Sequence, residues 1–250
     1  MSLVEAIAVL LAGAAAGTIN VIVGSGTLVT FPVLLALGYP PLTANVSNTV
    51  GLVPGSVAGA VGYRRELRDH GRRIAELGTA SATGGLVGAV LLLTLPESAF
   101  DVIVPVLVAL AVVLVAVQPW LSKKVGSRAP DRRRHEGPIL LGAISLTGVY
   151  GGYFGAAQGV ILLGVMGLAL SADLQEINGI KNVLAGLVNA VAAVVFVFSA
   201  DVAWLPVVLI AVGSALGGTA GAKIARRLPR TALRGVVVVV GTAALVQLLR

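Results

Sequence analysis

Ten apolar runs divide this chain, at about 3–23, 26–38, 44–63, 75–95, 99–121, 138–157, 159–170, 177–198, 204–222 and 231–249. A bilayer core about 30 Å thick takes roughly 20 helical residues to cross. Inside it the backbone must satisfy its own hydrogen bonds, which leaves helices or a closed barrel. Long uninterrupted apolar runs, with no alternation of polar and apolar residues, select helices. The expected fold is therefore an all-α integral membrane protein. Runs two and seven are short: at about 1.5 Å per residue, thirteen residues reach only about 20 Å. They read as short spans through a thin region or as re-entrant half-helices of a broken pair. A soluble alternative fails on composition, since 12% of the residues are charged where a soluble domain carries about 25%.

The net charge of +7 does not imply nucleic acid, because of where the charge sits. Arg64, Arg65, Arg68, Arg72 and Arg73 form one cluster. Lys123, Lys124, Arg128 and Arg132 to Arg134 form a second, and Lys223, Arg226, Arg227, Arg230 and Arg234 a third. Each lies between apolar runs, as in cytoplasmic loops obeying the positive-inside rule. Lys181 is the basic residue left over, apart from the terminal Arg250. The first run lacks a basic leader and reads as a retained membrane segment rather than a signal peptide.

The chain also repeats itself at an offset of 133 residues. Ser81 to Ala89 aligns with Ser214 to Ala222 at six of nine positions, and Gly26, Asn45 and Leu95-Pro96 meet Gly159, Asn178 and Leu228-Pro229 in the same register. The organisation read from this is a first membrane repeat at 4–117, a basic cytoplasmic linker at 118–136 and a second repeat at 137–250. The basic residues swap between equivalent loops. Residues 64–73 hold five arginines while Ser199 to Ala203 hold none, and Pro96-Glu97-Ser98 is acidic where Lys223 to Arg230 is basic. Two inverted repeats of five segments account for that swap, with both termini outside and the basic clusters in the cytoplasm. Gly84, Gly85 and Gly88, with Gly217, Gly218 and Gly221, read as faces for close helix approach. Trp120 and Trp204 read as interface anchors.

Polarity inside the runs is matched between the halves. Asn45, Asn48, Thr49 and Ser56 share one helical face, and their counterparts are Asn178, Lys181, Asn182 and Asn189. Burying such groups in hydrocarbon costs several kcal/mol, so the stripe should face the interior or an aqueous cavity. It reads as a substrate site between the halves, with interhelical hydrogen bonding as the alternative. Upstream lie two glycine-broken stretches, Asn20 to Thr27 and Gly151 to Gly159. Paired interruptions of this kind point to a transporter site, and their free backbone N–H groups suit an anion. Lys181 is read either as an anion contact, or as a partner of Glu176 or a snorkelling side chain. The eleven carboxylates all fall near segment ends, which disfavours a cationic substrate. With no cysteine and with both histidines in Arg-rich stretches, no nucleophilic triad or metal ligand set is seen. The chain is not expected to be an enzyme or to need a cofactor.

The glycine-broken first hairpin, Pro32 after it, Ala44-Asn45 with Asn48-Thr49, and the duplicated layout resemble the sulfite exporter TauE/SafE family over essentially the whole chain. The resemblance implies transport of small sulfur-containing anions, organic sulfonates or carboxylates across a bacterial cytoplasmic membrane. It also implies a site at Asn20 to Thr27, Asn45 to Thr49, Tyr153 to Gln158 and Asn178 to Asn182. The substrate-binding residues expected are Asn20, Ser25, Thr27, Asn45, Asn48, Thr49, Gln158, Asn178, Lys181 and Asn182. The partners expected are a small anion and membrane lipid, with the oligomeric state open. A ten-segment metabolite or drug exporter of another inverted-repeat family would share the layout but calls for a buried carboxylate. A non-transporting membrane scaffold would place its interior polar groups without regard to the repeat.

Overall fold

The computed structural model describes residues 1–126, 137–170, 172–224 and 230–248, and the described residues fold as ten α-helices. These are α1 (Leu3–Ile22), α2 (Thr27–Ala36), α3 (Pro41–Gly62), α4 (Gly71–Thr94), α5 (Glu97–Gly126), α6 (Pro138–Tyr153), α7 (Gln158–Ala169), α8 (Leu174–Ser199), α9 (Trp204–Ile224) and α10 (Arg230–Leu248). Five of them, α1, α4, α5, α8 and α9, contain stretches long and apolar enough to cross a membrane. At about 1.5 Å per residue, α2 and α7 reach only about 15 and 18 Å, too short to cross alone.

Local chemistry explains the helix starts. Ser2 with Glu5 and Asp173 with Glu176 form capping boxes, in which each side chain satisfies an orphan N–H of the first turn. Pro41 and Pro138 stand at the first helical position, where a missing N–H costs nothing. Several boundaries differ from the sequence reading, as where α6 ends at Tyr153 rather than 157 and α3 begins at Pro41 rather than 44. The α4 helix begins at Gly71 rather than 75, so Arg72 and Arg73 are helical, and Arg72 Nε lies 2.8 Å from Glu76 Oε1 one turn on. The α5 helix continues to Gly126, so the stretch read as a linker from 118 begins inside it. Residues 127–136 of that stretch lie outside the described residues.

The offset of 133 recurs in the architecture. Pro41 and Leu174, Gly71 and Trp204, and Glu97 and Arg230 start equivalent helices in that register. Packing is exchanged between the halves: α1 lies on α9 and α6 on α4, while α3 lies on α9 and α8 on α4. Ser214 Oγ donates to Gly51 O (3.0 Å), and its counterpart Ser81 Oγ donates to Leu184 O (3.4 Å). Neighbouring positions along these interfaces show that α1, α3 and α9 run in one direction and α4, α6 and α8 in one direction. The α3 and α8 helices pass each other antiparallel: Ser56 meets Asn189, and Gly59, a turn later, meets Asn182, two turns earlier. Each of these helices therefore opposes its own counterpart.

Glycine makes the exchanged packing possible. A Cβ on Gly217 would lie 1.9 Å from Ala14 O, and one on Gly88 would lie 2.0 Å from Val149 O. With the side chain gone, backbones touch and gain dispersion that larger residues would prevent. A leucine at Gly218, whose Cβ would meet Gly55 O at 2.6 Å, is expected to abolish folded protein. Leucine at Gly85, where Val188 Cα lies 3.1 Å away, should fold but melt lower. Expression and detergent melting curves check this order, and parent-like behaviour of both variants would place those faces in lipid.

The main apolar core draws on all ten helices, α1, α2 and α5 most heavily, and a second cluster around Ile144, Met166 and Ile180 fills the space between α4, α6, α7 and α8. Outward positions are apolar too: Ile139 is 88% exposed and Phe198 84%. Such a surface suits a lipid solvent. Trp120 and Trp204 are also exposed, and Trp204 opens α9.

Candidate functional site

The site grows from two interruptions. After α1 ends at Ile22, Gly24 turns with φ +87°, and Gly26 packs on Ala16 O, so that α2 doubles back along α1. After α6 ends at Tyr153, Gly155 (φ +76°) and Ala157 (φ +58°) reverse the chain into α7. Ala157 is the counterpart of Gly24, and both adopt the left-handed conformation. A non-glycine residue there costs about 1–2 kcal/mol, and burial of the Ala157 methyl holds it in place. The two interruptions touch: Gly159 N donates to Gly24 O at 3.1 Å.

Interrupting a helix strands its last carbonyls, and donors from both halves cap them. Lys181 Nζ, from the second half, donates to Val21 O (2.9 Å) and Asn20 O (3.3 Å). Asn182 Nδ2 adds a bond to Val21 O (3.4 Å), and Gln118 Nε2 of α5 donates to Val23 O (3.3 Å). On the other side, Asn45 Nδ2 of the first half donates to Tyr153 O (3.0 Å), and Tyr150 OH to Ala156 O. Lys181 is fully buried at a helix C-terminus, where a cation meets the negative end of the helix dipole. The Glu176 pairing and the snorkelling considered for Lys181 are thus replaced. Glu176 closes its own capping box through Asp173 N (2.8 Å) and faces His70 Nε2 at 3.3 Å.

The remaining polar residues sort into engaged and unpartnered. Asn48 Oδ1 accepts from Thr30 Oγ1, and Asn48 Nδ2 donates to Thr27 Oγ1 (3.3 Å), tying α3 to α2. Thr49 Oγ1 donates back to Asn45 O (2.9 Å). Ser56 accepts from Asn20 Nδ2 and from Asn189 Nδ2, both at 3.4 Å, so Ser56 bonds its own repeat counterpart. Against these stand five buried polar atoms without a hydrogen-bond partner among the described residues: Ser25 Oγ, Asn45 Oδ1, Tyr153 OH, Gln158 Nε2 and Asn178 Oδ1. Four of them form two counterpart pairs, Ser25 with Gln158 and Asn45 with Asn178. Each unmet buried group costs about 1–3 kcal/mol, and native proteins carry few of them. Their concentration at the two interruptions marks the place where a polar guest would be repaid in hydrogen bonds.

One cleft approaches this region. It has a volume of about 890 Å³ and opens where the start of α3 meets the ends of α4 and α8, with Thr43, Val46, Phe100, Phe198 and Asp201 in its wall. Phe100 stacks toward Tyr153, with ring centroids 6.3 Å apart, and Val46 follows Asn45. A second cleft of about 390 Å³ lies at the opposite end of α3, against the end of α9.

All ten residues expected from the sequence are at least half-buried beside the interruptions or on the facing turns of α3 and α8. Ser25, Asn45, Gln158 and Asn178 present unmet atoms; Asn20, Thr27, Asn48, Thr49, Lys181 and Asn182 hold the frame. Gln118 and Thr30 escaped the sequence reading, as did the hydroxyl of Tyr150. Gln118 carried a usable signal, being the one amide in the apolar run 99–121.

The family model described as sulfite exporter TauE/SafE matches residues 9–248. The chain is 28% identical over 237 residues to ORF9 of Sinorhizobium sp., covering 94% of this chain and 88% of that protein. It is 26% identical over 238 residues to YfcA of Escherichia coli (strain K12), covering 94% and 86%. A Haemophilus influenzae protein is 25% identical over 229 residues, covering 91% and 88%. All three carry the description "probable membrane transporter protein". No solved structure matches the chain.

Proposed function

The chain belongs to the sulfite exporter TauE/SafE family, and on that premise we propose that this multi-pass membrane protein moves a small anion, of the sulfite or organosulfonate type, across the cell membrane. The substrate lies between two inverted repeats, against the interruptions of α1 and α6. One observation carries this reading: four of the five unmet buried polar atoms fall at repeat-equivalent positions beside the two interruptions. A scaffold would gain nothing from leaving them unmet, whereas a transporter must hold its cargo weakly enough to release it. Ser25 Oγ, Tyr153 OH and Gln158 Nε2 supply donors for oxyanion oxygens. The two asparagine carbonyls suit a protonated oxygen of the anion or its accompanying water. Lys181 places a basic group beside these donors and holds the α1 end in shape. No cofactor is called for, and no step of this reading is catalytic.

Uptake by proteoliposomes of sulfite, thiosulfate, sulfoacetate and simple carboxylates tests the reading. Saturable uptake of at least one sulfur oxyanion is expected, reduced in Ser25→Ala and Gln158→Ala by about the value of one hydrogen bond each, roughly three- to tenfold. Equal, non-saturating leakage of every anion through parent and variants would sink it. Orientation is tested separately. The chain has no cysteine, so cysteines introduced at Arg68 and Ala200 report cleanly. They are expected to react with an impermeant thiol reagent from opposite sides of the membrane. Labelling from the same side would rule out inverted repeats, whatever is transported.

A further inference from the structure

The smaller cleft has features that the transport reading leaves unused. It lies between the C-terminal ends of α3 and α9, and Arg64, Arg65 and Lys223 stand in its wall with one carboxylate, Glu66. None of the three basic side chains is in an ion pair among the described residues. Orientation in the membrane explains why basic residues sit at this end, but not why three of them converge on a recess. The fold does not demand them either. In the register of the repeat, Arg64, Arg65 and Lys223 correspond to Val197, Phe198 and Val90, so the other half builds the equivalent corner from apolar residues.

The helices leading to the cleft carry an apolar groove. On α3, Val57 and Val61 are 55% and 52% exposed, one turn apart, and point the same way as the recess. On α9, Val212 and Leu216, 49% and 65% exposed, precede Thr219 and Lys223 along one helical face. Two rows of outward apolar side chains therefore run along the membrane-facing surface and end at unpaired cations. A soluble anion would use the cations and leave the rows uncovered. A lipid with a negative headgroup matches both in one molecule.

We infer that the α3–α9 cleft is a binding site for an anionic phospholipid, its phosphate held by Arg64, Arg65 and Lys223 and its acyl chains lying along Val57, Val61, Val212 and Leu216. The recess of about 390 Å³ is large enough for a phosphodiester headgroup. The site is peripheral to the interruptions, and none of the five unmet atoms lines it. A lipid here bridges α3 of one half to α9 of the other, so its occupancy bears on how firmly the halves hold together.

The purified full chain, in detergent, is titrated with phosphatidylglycerol, with phosphatidylcholine of the same acyl chains, and with inorganic phosphate. Native mass spectrometry counts bound lipid, and melting reports its effect. Phosphatidylglycerol is expected to bind in preference and raise the melting point, while the other two do neither at equal concentration. Each hydrogen bond from a basic side chain in the cleft to the phosphate is worth at least about a factor of five net. The triple variant Arg64→Gln, Arg65→Gln, Lys223→Gln should therefore lose on the order of a hundredfold in phosphatidylglycerol affinity. The control Arg68→Gln, Arg72→Gln, Arg73→Gln removes the same charge outside the cleft and should lose under tenfold. Equal losses in the two triple variants would overturn the site in favour of diffuse charge. Stabilisation by inorganic phosphate alone would overturn it in favour of a soluble anion. If the cleft variant does not accumulate, the parent decides by itself, since absence of preference for phosphatidylglycerol over phosphatidylcholine also overturns the proposal.

Discussion

Lys181→Gln is expected to bind the transported anion roughly ten- to a hundredfold more weakly than the parent while remaining folded. A charge-assisted hydrogen bond is worth about 1.5–3 kcal/mol, and each 1.4 kcal/mol is tenfold in affinity. Glutamine retains a donor near Val21 O and Asn20 O and removes the basic group, so the change isolates electrostatics from capping. Stability should move little, because two effects oppose. Losing the bond to Asn20 O strands a carbonyl at about 1–3 kcal/mol, but burying a neutral amide avoids the larger desolvation of an ammonium. Val21 O keeps Asn182 in either case. Lys181→Met removes the donor as well and should melt lower than Lys181→Gln. Binding measured by calorimetry on variants with matched melting curves separates the roles. If Lys181→Gln binds as the parent does, Lys181 is a clamp on the end of α1, and the site rests on amides, hydroxyls and backbone.

Gly24→Ala should fold poorly and melt well below the parent. Two costs add at this position. Its φ of +87° charges an L-residue about 1–2 kcal/mol, and the new Cβ would lie 2.5 Å from Gly159 Cα, in the crossing that carries the Gly159 N to Gly24 O bond. Relieving that overlap means separating the interruptions of the two halves. Overpacking alone typically costs about 1–3 kcal/mol, which brings the total to about 2–5 kcal/mol. Gly159→Ala meets the same overlap from the other side, with Gly24 Cα at 2.5 Å, but its φ is ordinary. It should be the milder of the two, and the difference in melting reads out the backbone term. Two variants that both melt with the parent would show that the crossing is loose.

Most of the architecture was legible because the physics behind it is local. Ten helices follow from ten apolar runs, and α2 and α7 are short because their runs are short. Burial of Asn45, Asn48, Asn178 and Asn182 follows from the cost of amides in hydrocarbon. Boundaries slipped where local and regional cues disagree. The arginines after Tyr63 look like loop, yet Gly71 begins a helix because Arg72 can reach Glu76 across one turn. The partners of Lys181 were not legible, because they are backbone carbonyls some 160 positions away, and a carbonyl leaves no trace in residue identity. Glu176 looked like the natural partner from five positions away. In the structure Asp173 claims it through a capping box that the spacing Asp173 to Glu176 already spelled out.

The exchanged packing also sets an order on how the chain can be made. Thr18 of α1 donates to Gly217 O of α9 at 2.9 Å, across 199 positions of sequence. At about 5–20 residues per second, α1 waits roughly 10–40 s after synthesis before its partner exists. Over that interval Gly13 and Gly17 offer lipid or a holding factor a bare backbone groove. The equivalent pair, α4 with α6, waits only about a third as long, since Ser81 and Gly148 are that much closer in the chain. The α4–α6 pair can therefore form before α1 is seated, although α1 is made earlier than either. A nascent chain halted before Trp204 lacks α9 and leaves that groove uncovered.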